Sequence, residues 1–306
     1  MDAHLLSAWN WDPSIVGSIA AFALAYGIDA VARTSGTEPS PAIHGERHPV
    51  SGWQIISFYV GLLVLLLALA SPLDLLADHY LFTAHMLQHV LLLLVVPPLL
   101  LWGMPEATLQ AIVRTVAARS VLRKLAGPLS AFVLYSAFMW VWHAPTLYEA
   151  ALGNELIHVG EHLCFLISAT LFWWPLVRPT TSFGTMPELI RIVYLFGAAL
   201  STTLLAALLT FATSVLYPTY ALGPPYSAVR DALGMSPLVD QEVGGLLMWI
   251  GGALWYLGAA FIIFFRWFDG PVPGEPRPLH RGDAKNAEAE AAGTLEPVAP
   301  NLRGVL

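Results

Sequence analysis

YLFTAHMLQHVLLLLVVPPLLLW, residues 80–102, decides how the rest of the chain is read. No Asp, Glu, Lys or Arg interrupts it. As a helix it rises about 35 Å at 1.5 Å per residue, enough to cross roughly 30 Å of hydrocarbon. Its first third carries His85 and His89, one turn apart and therefore on one face. An imidazole at membrane depth is costly unless it is paired, wet or bound to something. The segment is thus both a membrane span and a pointer to a site.

Six further apolar runs, at 15–32, 53–70, 129–143, 156–177, 189–212 and 244–267, complete a seven-transmembrane helix bundle, with 129–143 the shortest. The composition agrees: 57% of the 306 residues are hydrophobic and only 11% charged, against about 25% in a soluble domain. The first run lacks a preceding Lys or Arg and an A-x-A cleavage pattern, and reads as a retained span. Thirteen of the fourteen Lys and Arg fall on one side of these spans, and Arg230 alone on the other. The positive-inside rule then places the N-terminus outside and the C-terminus in the cytoplasm, with 74–79 outside and 105–126 inside. The outer face is acidic and attracts cations. With a net charge of −7 and no basic patch, no nucleic acid partner is expected.

The connecting segments differ in character. Leu109, Ile112, Val113 and Val116 make one apolar stripe followed by Arg119, Arg123 and Lys124, which predicts an interfacial amphipathic helix over about 105–126, resting on membrane lipids at the inner face. Residues 213–243 form a Pro-, Gly- and Tyr-rich outer loop able to cover a site. Residues 1–269 are read as the membrane domain and 270–306 as a disordered cytoplasmic tail. Trp9, Trp11, Trp53, Trp102, Trp140, Trp142, Trp173 and Trp174 lie near span ends and are expected to anchor at the interface. Pro97 and Pro98 should kink their span. Asp29 is expected to pair with Arg33 at i+4, and Cys164, the single cysteine, to be a small core residue.

The histidines converge in this scheme. His79, His85 and His89 lie near the outer end of the third span, His143 ends the fourth, and His158 and His162 repeat the i,i+4 spacing at the outer end of the fifth. If one helix runs through Asp78, that carboxylate shares the His85 stripe. Paired imidazoles suit Zn, Cu, Fe or Ni. Met86, Met139 and Met248 are candidate soft copper ligands, although methionine in a span ordinarily packs. His4, His44, His48 and His280 read as solvated.

Taken together, SPLD at 71–74, HMLQH at 85–89, VVPPL at 95–99, WHAPTLY at 142–148, LIHVGEH at 156–162, FWWP at 172–175 and DQEVGGLLMW at 240–249 resemble the multi-span CtaG-like assembly factors of bacterial cytochrome c oxidase. The resemblance implies a seven-helix protein of the bacterial plasma membrane that serves oxidase maturation through copper. In this reading His85, His89, His158 and His162 bind copper transiently, with His79, His143 and Asp78 as further ligands or supports. The partners are the oxidase subunits and a periplasmic or extracellular copper chaperone, and no catalytic turnover is required. Three alternatives stay open: a membrane zinc hydrolase with Glu161 or Asp78 as base, a di-histidine haem electron carrier, and a copper or proton transporter.

Overall fold

The computed structural model describes residues 8–35, 50–117, 119–178 and 182–269. The expected tail at 270–306 and His4, His44, His48 and His280 lie outside the described residues. The regular elements of the described residues are all helices: α1 (Pro13–Ser35), α2 (Gly52–Ala70), α3 (Pro72–His79), α4 (Phe82–Gly103), α5 (Glu106–Ala117), α6 (Ser120–Leu125), α7 (Pro128–Trp142), α8 (Pro145–Leu152), α9 (Glu155–Val177), α10 (Glu188–Thr210), α11 (Ala228–Ala232) and α12 (Pro237–Phe268). Residues up to Phe264 form one compact unit, and the last turn of α12 begins a second.

Six of these helices, α1, α2, α4, α9, α10 and α12, are long and apolar enough to cross a membrane. Helix α7 is equally apolar but has 15 residues, a rise of about 22 Å. Large apolar side chains such as Leu24, Leu63, Ile167, Phe196, Leu208 and Leu254 point outward and exposed, as lipid-facing residues do.

Helix starts follow local chemistry. Ser51 and Gln54 form a capping box before α2. Ser71 caps α3, and Asn154 accepts from the Leu156 and Ile157 amides to begin α9. Pro97 and Pro98 carry no N–H, and the turn before them, Leu91–Val95, widens to π-helix. The Leu93 carbonyl, which a residue other than proline at 97 would satisfy, accepts instead from the Trp173 indole at 2.9 Å.

Several expectations are corrected. Trp173 and Trp174 are buried core residues: Trp173 serves the proline-freed carbonyl and Trp174 packs against Phe183. The segment 105–126 is two helices, broken where Arg119 turns extended. The helix expected to start near residue 244 begins at Pro237, so the preceding loop is shorter than expected; proline suits a first helical position. The Asp29–Arg33 pair forms as expected, at 2.8 Å.

Helices in lipid gain little from hydrophobic association and rely on close approach and interhelical hydrogen bonds. Here Ser57 donates to the Leu99 carbonyl, Tyr26 to that of Gly103 and Tyr194 to that of Phe172. Gly103 lets α4 meet α2: a Cβ there would lie 2.5 Å from the Phe58 nitrogen and 2.7 Å from the Gln54 carbonyl oxygen, backbone atoms that cannot step aside. Gly103→Ala is therefore expected to cost about 1–3 kcal/mol, read as a lowered unfolding midpoint in detergent. Gly258→Ala, whose Cβ meets nothing within 4 Å, should stay within about 0.5 kcal/mol. Equal midpoints for the two variants would contradict this packing.

Candidate metal centre

Helix α4 enters the bundle at Phe82 after a break in which Leu81 is extended and the Tyr80 and Leu81 amides both turn back to the Leu76 carbonyl. The break separates Asp78 from the helix of His85, so the two do not share a continuous stripe. No side chain of α4 caps its own start. The cap arrives from α12: the buried Asp240 carboxylate accepts from the Phe82 amide at 2.8 Å, the Thr83 amide at 3.0 Å and the Thr83 hydroxyl at 2.7 Å. A carboxylate facing a helix N-terminus is favourable. Asp240 thereby sets the depth of His85 and His89.

Five of the six candidate histidines meet. The rings of His85 and His89 lie 4.2 Å apart, those of His158 and His162 likewise 4.2 Å, and His85 faces His158 at 5.6 Å. His143, at the end of α7, stands 5.8 Å from His89. His79 is exposed, with its ring edge toward Tyr226. Asp78 approaches His158 at 3.7 Å, although α3 is a separate helix. Glu161 is fully buried, 3.6 Å from His89 Nε2, and its neighbour His162 is its helical continuation into the same cluster. Glu161 was legible only as a possible base; its burial beside His85 and His89 makes it a candidate ligand.

Two groups have ligand atoms all within 4.8 Å of one another: His85, His158 and His162; and His85, His89 and Glu161. Ligand atoms on one ion at about 2 Å each are at most about 4 Å apart, so small side-chain movements close either group on a cation.

The hydrogen-bond partners prepare lone pairs for this. The Tyr220 hydroxyl donates its single proton to the Ala77 carbonyl at 2.5 Å, since a carbonyl only accepts. Toward His85 Nδ1, 3.1 Å away, the phenol oxygen must therefore accept, which places the imidazole proton on Nδ1 and the lone pair on Nε2. His143 Nδ1 likewise donates to the Met139 carbonyl at 2.6 Å. The second nitrogen of both rings, both nitrogens of His89, Nε2 of His158 and His162, both Glu161 oxygens and Asp78 Oδ1 are buried without a hydrogen-bond partner in the protein. Buried polar atoms are nearly always satisfied, and this donor set, imidazoles with carboxylates, suits a transition metal.

Burial pushes the Asp78 carboxyl up to about 8, with the negative charges of Asp74 and Glu155 adding to the effect. Asp74 is also raised by burial, against hydrogen bonds from Asn10 and Gln88 that favour its charged form.

The segment between α10 and α12 covers this end. Tyr217 and Tyr220 are buried, with Tyr217 donating to the His143 carbonyl at 2.8 Å. Glu149 holds the Thr219 amide and hydroxyl, Gln241 accepts from the Leu216 amide, and Arg230 donates to the Tyr220 and Leu222 carbonyls. Sequence pattern alone marked the loop as a cover without picking out Tyr220, because its role depends on reaching Ala77 and His85 across more than 130 residues.

A family model described as cytochrome c oxidase caa3 assembly factor matches residues 37–269. An uncharacterized protein of Mycobacterium bovis and another of Mycobacterium tuberculosis are each 24% identical over 264 residues, 81% of this chain. The chain spans 37% of the length of either relative. No solved structure matches.

Tyr220→Phe removes the group that fixes the His85 tautomer and leaves His85 Nδ1 and the Ala77 carbonyl without that partner. It should weaken metal binding about 10- to 100-fold, as loss of such support does elsewhere, measured by competition with a chelator on protein purified in detergent. Unchanged affinity would separate Tyr220 from the site.

Proposed function

We propose, since the chain belongs to the cytochrome c oxidase caa3 assembly factor family, that it holds copper as cargo in the buried imidazole cluster and passes it to the oxidase during assembly. One observation carries this reading: unpaired imidazole nitrogens of His85, His89, His143, His158 and His162 converge with Glu161 and Asp78 in a family that serves a copper enzyme. A donor site must bind and release. Imidazole ligands on several helices can be surrendered one at a time, and no catalytic turnover is involved. The partners are then oxidase subunits and an extracytoplasmic copper chaperone, and the membrane is the bacterial plasma membrane.

Seven crossings belong to this proposal. His85 and His89 lie near the start of α4, while His158 and His162 lie near the start of α9. For both starts to share one face, the chain must cross twice between them, once as α4 and once as the short α7. The contact of Asp240, in the first turn of α12, with the start of α4 supports four crossings by the same count. The thirteen-to-one division of Lys and Arg then puts the histidines at the outer face. With Cys164 replaced by serine, Glu155→Cys should react with an impermeant thiol reagent on intact cells and Arg119→Cys should not; both side chains are exposed. The opposite pattern would overturn the orientation.

The close packing of the rings, with centroids 4.2–6.5 Å apart, favours single ions over a haem macrocycle. Copper should bind to purified protein, and His85→Ala with His89→Ala should abolish it. Cells carrying His158→Ala with His162→Ala should assemble oxidase polypeptides with haem yet deficient in copper, partly rescued by added copper, while Glu161→Gln has a milder effect. Normal oxidase copper in those cells, together with accumulation of a lipid or ester, would replace this reading with the zinc hydrolase.

A further inference from the structure

Just inward of the imidazoles, toward the middle of α4, lies a cavity of about 20 Å³, enough for one water-sized occupant. Three of the seven methionines of the chain, Met86, Met139 and Met248, meet in its wall, coming from α4, α7 and α12. His89 and His143 share that wall. His89 is 2% exposed with neither ring nitrogen hydrogen-bonded, and His143 is 4% exposed with Nε2 unpaired because its Nδ1 is committed to the Met139 carbonyl. Thr202, also in the wall, donates to the Met139 sulfur at 3.5 Å, which holds that thioether at the cavity.

The chemistry of this wall differs from that of the cluster above it. The imidazole groups include or adjoin carboxylates, Glu161 and Asp78, which help neutralise a divalent ion. The described residues lining the cavity include no carboxylate, so a doubly charged ion there would carry a larger uncompensated charge at low dielectric. Thioethers are soft ligands that select Cu(I) over Zn(II). His89 belongs to both places: it is one of the His85, His89 and Glu161 group, and it lines the cavity.

We infer that the cavity is a second cation station, selective for a soft monovalent ion of the Cu(I) or Ag(I) type, formed by the thioethers of Met86, Met139 and Met248 with His143, and linked to the imidazole cluster through His89. This rests on the reading of the cluster as a metal site, and extends it by naming the charge and softness of the ion taken inward. No change of oxidation state is involved: a monovalent ion enters and leaves as such.

The test uses the full chain purified in detergent, with Zn(II) as the probe of the imidazoles and Ag(I) as the probe of the thioethers. Leucine replaces methionine at nearly constant volume. Met86→Leu with Met139→Leu and Met248→Leu should therefore lower Ag(I) affinity by more than the 10- to 100-fold that loss of an indirect support costs, while Zn(II) affinity is unchanged. X-ray absorption at the silver edge should show sulfur neighbours in the natural protein and lose them in the triple variant. Equal silver affinity in the two proteins, or silver without sulfur neighbours, overturns the inference and leaves the imidazole reading intact. A natural protein that binds zinc but not silver does the same, and one that binds neither overturns the reading beneath it. If the triple variant loses zinc as well, Met139→Leu and Met248→Leu singly decide: a fall in silver affinity alone supports the station, and no fall overturns it.

Discussion

The organising constraint is the cost of placing imidazoles and carboxylates where water is scarce. Each ring nitrogen or carboxylate oxygen withdrawn from water must find a partner, or the fold bears a penalty of about 1–3 kcal/mol for every one left over. The protein meets only part of this demand itself. Tyr220 and the Met139 carbonyl each take one nitrogen of a histidine, and in doing so direct the remaining lone pair inward. What is left is a set of buried, unpartnered nitrogens and oxygens drawn from four helices, an arrangement that is unfavourable for an empty core and favourable for a cation.

Everything around the cluster can be traced to holding those acceptors at one depth. Asp240 of α12 caps α4 from outside its own segment, fixing the start of the helix that carries His85 and His89. The prolines at 97 and 98 free backbone acceptors farther along, and Trp173 of α9 takes one of them, so α4 and α9 are tied to each other away from the cluster. Farther along the same way, Arg178 after α9 donates to the Leu101, Trp102 and Met104 carbonyls near the end of α4. The loop between α10 and α12 is pinned by Glu149, Gln241 and Arg230, which places Tyr217 and Tyr220 buried beside the rings. Support of this kind would orient the ligands of a bound ion in the proposed site, and their distribution over separate helices would leave release possible.

The chain belongs to a family described as oxidase assembly factors, and the proposed division into an imidazole cluster and a thioether cavity follows from the same physics. Carboxylates near imidazoles favour a divalent ion; their absence from the described cavity wall favours a monovalent one. The methionines are then more than filling for the gap between α4, α7 and α12, although their volumes serve that purpose as well.

The sequence by itself determined the membrane character of the chain, the apolar segments and the pairing of His85 with His89 and His158 with His162. These depend on composition and on the 3.6-residue period, which are local. It also contained the Asp29 pair with Arg33, again one helical turn apart. Only the tertiary structure decided that His79 faces Tyr226 while His143 joins the cluster, that Glu161 is buried against His89, and that Trp173 and Trp174 are core rather than interface. It alone revealed Asp240 as the cap of α4 and Tyr220 as the group that sets the His85 tautomer. Each of those depends on which helix faces which, and on a partner more than fifty residues away along the chain. One-dimensional periodicity assigns a residue to a stripe; the packing of neighbouring helices decides whether that stripe meets lipid, core or another imidazole.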